Sequence, residues 1–220
     1  MKHTIAILGG GNGGQAFAAY FTREGHEVRL YDVFESTVEA INRRGHIELI
    51  GAIEDDVPFL AASTDLGKVV DGAEVIIVIN PSTYHRKLAF QLAPYLKKDQ
   101  IVFLNPAATF GSFAFKKALE DAGYQDDVLI AESNILLFAC RMREIGKVFI
   151  GAKKDRILVS AFPADRLDEI KQIISEIIPE TQFVRNVIST AIDNTNPTVH
   201  PMPTIFNIGW LESGQEFSFM

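Results

Sequence analysis

Two kinds of apolar patterning alternate along this chain. In Thr4–Leu8, Glu27–Tyr31, 74–79, 100–104 and 128–131 the apolar residues run together, are rich in Val, Ile and Leu, and give way to Gly, Asn, Asp or Glu. Runs of that length and content read as strands. Between them, over about 13–23, Glu35–Arg44, 83–96, 112–122 and 164–177, apolar positions recur at the three- and four-residue spacing of an amphipathic helix, and Gly45 and Gly123 stand where two of these would close. Strands that are apolar on both faces need helices on both faces, so the predicted fold is α/β, a doubly wound, mostly parallel sheet.

The rhythm changes in two places. Val148-Phe149-Ile150, the charged Lys153-Lys154-Asp155-Arg156 and Ile157-Leu158-Val159 read as an antiparallel hairpin added to the sheet. From Asn194 to Pro203 the chain is rich in proline and reads as a linker, and 204–211 as the first turns of a further helix. The expected division is a nucleotide-binding domain over 1–193, then a linker and the start of an α-helical second domain over 194–220.

Composition narrows the class. An apolar content of 47% in 220 residues is enough for one domain with a full core plus a remnant. A net charge of −7 gives no general attraction for nucleic acid or anionic lipid, and the pairs Arg43/Arg44, Lys97/Lys98 and Lys153/Lys154 are scattered and read as solvated surface. Cys140 is the sole cysteine, which excludes an internal disulfide and suits a reducing cytoplasm. Within the apolar run 135–140 it reads as a buried, inert thiol. No stretch approaches the ~20 apolar residues of a membrane span. Asp55/Asp56 and Asp126/Asp127 lack His, Cys or a ligand loop beside them, so they read as solvated turns and no metal is expected.

The first strand runs directly into Gly9-Gly10-Gly11-Asn12-Gly13-Gly14, and a helical pattern begins inside it. Gly9, Gly11 and Gly14 satisfy GxGxxG in the strand-to-helix context that gives this motif meaning. Gly9 permits the tight turn, Gly11 the approach of a pyrophosphate to the backbone, and Gly14 close packing of helix on strand. Asn12 and Gly13 complete the cradle at the helix N-terminus, which favours negative charge. The second strand ends at Asp32, 18 residues past Gly14. A carboxylate there accepts hydrogen bonds from the adenosine ribose and repels a 2′-phosphate, so the expected fold is of the Rossmann type with NAD favoured over NADP. The strands ending at Asn80-Pro81 and Asn105-Pro106 bring their loops to the same edge, where Asn80, Ser82 and Asn105 are candidates for the ribose or carboxamide, or else for helix caps and turns.

Of five histidines, His3, His26, His46 and His85 have structural explanations, although His85 could border the cofactor. His200 differs, because Pro197 and Pro201 stiffen the backbone around it and Asn194 and Asn196 offer polar anchors. Imidazole titrates near neutral pH, which suits a proton carrier. Met220 follows only 20 residues later, so the expectation is half an enzyme.

Four segments carry a resemblance: Leu8 to Gly14, VFLNPAATFGSFAF at 102–115, AESNILLFACR at 131–141, and NTNPTVHP at 194–201. Over essentially its whole length the chain resembles the amino-terminal portion of the opine dehydrogenases, the octopine/nopaline dehydrogenase family. The resemblance implies an NAD(P)-binding domain followed by a helical catalytic domain. It places the family's catalytic histidine at His200, with an acidic partner beyond Met220. Ala107 and Ala108 depart from the pattern, since that loop is usually richer in glycine with a basic residue nearby.

The implied reaction is reductive condensation of an amino acid with a 2-oxo acid, through an imine, with NADH as hydride donor and His200 as general acid/base. Arg141 and Arg143 are candidate clamps for substrate carboxylates, or else surface partners of Glu144 or Glu132. Glu132, at a predicted strand end beside the crevice, is a candidate polar wall at the substrate or else a structural cap, Asn196 is a further candidate at the substrate, and a homodimer is compatible with the chain. Two rivals remain open. One is a glycerol-3-phosphate or ketopantoate type reductase, whose chemistry leans on a lysine, although none follows Lys171. The other is a non-catalytic NAD-sensing module that presents Ile205, Phe206, Trp210, Phe217 and Phe219 to a partner.

Overall fold

The computed structural model describes residues 1–215. In chain order the elements are β1 (Thr4–Leu8), α1 (Asn12–Arg23), β2 (Glu27–Tyr31), α2 (Glu35–Arg44), β3 (His46–Gly51), β4 (Asp55–Pro58), β5 (Ala62–Ser63) and α3 (Leu66–Val70). Then follow β6 (Val75–Val78), α4 (His85–Leu92), β7 (Ile101–Leu104), α5 (Gly111–Asp121), β8 (Leu129–Ser133), β9 (Phe138–Glu144), β10 (Lys147–Lys153) and β11 (Ile157–Phe162). The chain continues through α6 (Leu167–Ile177), β12 (Thr181–Phe183), α7 (Val187–Asp193), α8 (Asn196–Val199), α9 (Pro201–Phe206) and α10 (Ile208–Glu212).

Eight strands form the main sheet in the order β12-β11-β8-β7-β6-β1-β2-β5, parallel throughout except where β11 runs antiparallel to β8. β1 shows why the strands read as uninterrupted apolar runs. Ile5 and Ile7 face one core, Ala6 and Leu8 the other, and all four are inaccessible to solvent. The expected α/β, doubly wound and mostly parallel architecture is therefore present.

A smaller mixed sheet, in the order β4-β3-β10-β9, packs against α1. Phe17 and Tyr20 of α1 meet Phe138 of β9 edge to face, with ring centroids 5.0 and 5.2 Å apart. Such pairs add to the gain from burial.

This sheet corrects the predicted hairpin. Val148-Phe149-Ile150 and Ile157-Leu158-Val159 do not pair: the former lies in β10 against β9 and β3, the latter in β11 against β8 and β12. The antiparallel hairpin that forms is β9–β10, turning at Gly146 with φ +82°. Its first strand escaped notice because Phe138, Cys140 and Met142 face inward while Ala139, Arg141 and Arg143 are exposed. That alternation is masked by the apolar run just before it.

Other expectations also change. The charged stretch beside β10 is not wholly solvated, because Lys153 reaches across to Glu180 at 2.5 Å and to the Tyr20 hydroxyl at 2.9 Å. Asp55 and Asp56 begin edge strand β4, and Asp55 pairs with Arg23 at 2.8 Å. The proline-rich stretch is helical in part, since Pro197 and Pro201 fall in the first turns of α8 and α9, where a missing N–H costs nothing. Phe217 and Phe219 lie outside the described residues. No helix among the described residues is long and apolar enough to cross a membrane.

Candidate cofactor site

A cavity of about 690 Å³ opens at the carboxyl ends of β1, β2 and β6. It is lined by the turn Gly9 to Gly13, by Asp32 and Phe34, and by Asn80, Pro81 and Ser82. This is the crevice in which doubly wound sheets bind ligands.

Each glycine in the turn meets a different constraint. Gly9 has φ +114°, a conformation that side chains rarely adopt. A Cβ on Gly14 would stand 1.6 Å from the Gly9 carbonyl oxygen, and one on Gly13 would stand 2.6 Å from Ile79. At Gly11 a Cβ would meet nothing within 4 Å, so its missing side chain leaves open space on the cavity side. Gly10 occupies a variable position of the motif, yet a Cβ there would lie 2.8 Å from Asp32 Oδ2. Its N–H donates to that same oxygen at 2.6 Å, a contact that motif spacing alone does not disclose.

Asp32 also accepts the Phe34 N–H at 2.8 Å through its other oxygen. The carboxylate thus organises the turn as well as facing the cavity. Helix α1 begins at Asn12 with Gly11 as its cap and no side-chain acceptor there. Its first-turn N–H groups and the positive end of its dipole are therefore available to an anion. Together these features fit a dinucleotide pyrophosphate.

Gln15 and Asn12 fasten the cradle to the small sheet. The fully buried Gln15 amide donates to the Gly10 carbonyl at 2.6 Å and accepts the Gly146 N–H at 2.7 Å. Asn12 Oδ1 accepts the Met142 N–H at 2.8 Å, so this side chain is committed to β9 although the residue lines the cavity. Neither anchor is visible in the sequence, because the partners lie more than a hundred residues away.

The remaining candidates separate. Asn80, Pro81 and Ser82 line the cavity, and Asn80 Oδ1 is buried there without a protein partner. His85 does not line it. Its Nε2–H donates to the Asn80 carbonyl at 3.1 Å, and burial holds its pKa below the ordinary histidine value. Asn105 is a correction: it is fully buried, accepts the Leu137 N–H at 3.4 Å, and leaves the lining to Pro106. Lys87 of α4 also lines the cavity and was not anticipated.

The expected substrate groups are not gathered at the cavity. Glu132 is fully buried, accepts the Ser112 N–H at the start of α5 at 3.2 Å, and is bonded by the Thr190 hydroxyl. Arg141 is exposed on β9. Arg143 lies over the Phe149 ring at 4.9 Å rather than against Glu144, which pairs with Arg44. Asn196 and His200 are exposed at α8, and neither lines the cavity.

Fold and cradle define an NAD(P)-binding Rossmann region of an oxidoreductase. A model of the NAD-dependent glycerol-3-phosphate dehydrogenase N-terminus matches residues 4–106, from β1 to the end of β7. An opine dehydrogenase of Arthrobacter sp. (strain 1C) is 34% identical over 221 residues, covering 98% of this chain and 60% of that protein. Octopine dehydrogenase solved with NADH and pyruvate superposes with a TM-score of 0.73 at 20% identity, over 97% of this chain and 57% of that one. Yersinopine dehydrogenase with NADP+ bound gives 0.76 at 15% identity, over 93% and 53%. Over nearly its whole length the chain is similar to opine dehydrogenases, matching their amino-terminal NAD-binding portion. It spans about 60% of the length of the Arthrobacter relative.

Proposed function

We propose that this chain is the cofactor-binding part of an NAD-dependent opine dehydrogenase that joins the amine of an amino acid to a 2-oxo acid. The observation that carries the reading is the cradle itself, with Gly14 pressed on Gly9, α1 uncapped and Asp32 closing the turn, in a chain 34% identical to an opine dehydrogenase along nearly all its length. Bound NADH would supply the hydride that reduces the imine. The residues of this chain bind and orient it. Gly11 and the first turn of α1 hold the pyrophosphate, Asp32 takes the adenosine ribose and disfavours a 2′-phosphate, and Asn80, Pro81 and Ser82 complete the lining.

His200 is the proposed proton carrier at the reacting nitrogen or carbon, a role worth roughly 10²- to 10⁴-fold in rate. Its support is an exposed imidazole between α8 and α9, with no side-chain hydrogen bond among the described residues, in a segment resembling that of the family's histidine. Around it Met202, Ile205, Phe206 and Ile208 are more than half exposed, an apolar surface suited to further helical chain. A lysine-dependent reductase has less support: the glycerol-3-phosphate dehydrogenase match ends at residue 106, well before this segment.

Two measurements test the reading. Titration of the chain should show NADH binding; its absence would remove the cofactor assignment. A chimera carrying the carboxy-terminal part of the Arthrobacter enzyme should oxidise NADH with an amino acid and a 2-oxo acid, and His200→Ala should abolish this while leaving NADH affinity nearly unchanged.

A further inference from the structure

Glu132 is a fully buried carboxylate with no Lys, Arg or His within ion-pair distance among the described residues. Burying such a group is costly unless its oxygens are occupied by donors. Both are. One takes the Ser112 N–H, and the other takes the Thr190 hydroxyl, which itself lies 3.2 Å from Ser160 Oγ.

These partners belong to two different parts of the molecule. Ser112 follows the loop from Pro106 to Phe110, whose Pro106 and Ala108 line the cavity and whose Ala107 N–H donates to the Ser133 carbonyl at 3.2 Å. Ala108 and Phe110 both have positive φ, so this loop holds a conformation that L-residues do not adopt freely. Thr190 lies on α7, and one helical turn further on Asp193 accepts the Asn134 amide at 2.5 Å. Asn134 in turn accepts the Leu158 N–H at 2.9 Å, which fixes its orientation. Glu132-Ser133-Asn134 therefore grips the cavity loop on one side and α7 on the other. After Asp193 the chain passes through the buried Asn194 into α8 and reaches His200.

We propose that Glu132, Thr190, Asn134 and Asp193 form a positioning latch, which sets where the segment bearing His200 stands relative to the cofactor cavity. The inference rests on the cofactor reading above, and it assigns Glu132 to positioning rather than to substrate contact. An apolar interface would hold α7 equally close but would let it slide, whereas the two directional bonds, Thr190 to Glu132 and Asn134 to Asp193, select one register.

Trp210, the sole tryptophan, lies beyond His200 in α10 and reports on that segment. The test is energy transfer from Trp210 to bound NADH, with Trp210 anisotropy, NADH affinity and the thermal midpoint measured on the same 220-residue samples. Thr190→Val and Asp193→Ala should lower transfer and anisotropy while NADH affinity moves by less than about twofold, and Thr190→Ser should restore both optical signals. Folded, NADH-binding variants with unchanged transfer and anisotropy would overturn the latch. If Thr190→Val does not fold, the exposed Asp193→Ala decides the matter by the same criteria. Failure of the unaltered chain to bind NADH would instead sink the cofactor reading, and anisotropy would still judge the latch.

Discussion

The carboxylate of Asp32 accepts the backbone N–H of Gly10 at 2.6 Å, tying the end of β2 to the turn that follows β1. One side chain thereby does two things. It shapes the glycine turn before any ligand arrives, and it presents negative charge where an adenosine ribose would lie. Asp32→Ala should weaken NADH binding by about tenfold or more, the scale of losing one charge-assisted bond. Preference for NADH over NADPH should also shrink. Fluorescence titration with both nucleotides checks this, and an unchanged ratio would remove Asp32 from cofactor choice.

Gly11 and Gly14 should fail differently on gaining a methyl group. At Gly14 the added carbon would meet the Gly9 carbonyl at 1.6 Å, so Gly14→Ala must displace α1 from β1, with an expected loss of roughly 3 kcal/mol or more of stability. At Gly11 there is room, so Gly11→Ala should keep the thermal midpoint and lose NADH affinity. Thermal melts beside ligand titrations separate the two; a Gly14→Ala protein as stable as the parent would contradict the packing described.

Gln15 satisfies buried backbone groups on both sides of a sheet junction, the Gly10 carbonyl and the Gly146 N–H. Gln15→Leu keeps similar bulk but orphans both, which should cost about 2 kcal/mol or more. Because one orphan lies in the cradle, NADH affinity should fall as well. Urea unfolding and titration of the same variant provide the check.

Acid should destabilise the fold before carboxylates begin to titrate. His26 is held below its ordinary pKa by burial first, then by His3 and the amino terminus, and His85 by burial. Above about pH 6.5 both are neutral in the folded and denatured chain, and their contribution is constant. As the pH falls below that value, the denatured chain takes up protons that the folded chain does not, so stability declines toward the lower folded pKa. Unfolding midpoints between pH 7.5 and 5 should therefore fall, and His26→Gln with His85→Gln should flatten the slope.

Cys140 should be chemically quiet. Burial pushes its thiol up to about 11, leaving a thiolate fraction on the order of one in ten thousand at neutral pH. Alkylation by iodoacetamide at pH 7 should be slow until the chain is unfolded, and Cys140→Ser should bind NADH normally. Rapid labelling of the folded protein would show the site to be more open than its packing indicates.

Much of this molecule was legible because its signals are local. β1, β2 and α2 have the bounds their patterning predicts, since a continuous apolar run between turn residues or a three-to-four spacing closed by glycine needs only nearby positions to be read. The cradle and Asp32 were legible for the same reason: the backbone geometry of a tight turn restricts which residues can occupy it. Strand partnership is not local. β3 was unread, and it pairs with β10, placing Glu48 opposite Lys147. Nothing near either strand specifies the other, and β10 was instead matched with the next apolar run, which forms β11 against β8. The same limit governs polar groups. Asn105 and Asp32 both end strands at the same sheet edge, yet packing buried one and left the other at the cavity. Glu132, which reads equally as a wall of the crevice or as a structural cap, was turned inward because α5 and α7 brought donors to both its oxygens. Chain-local sterics and hydrophobicity dictated the strands, the turn and the acid; only the closing of distant segments, with its requirement that each buried polar atom find a partner, decided which side chains face the ligand and which hold the frame.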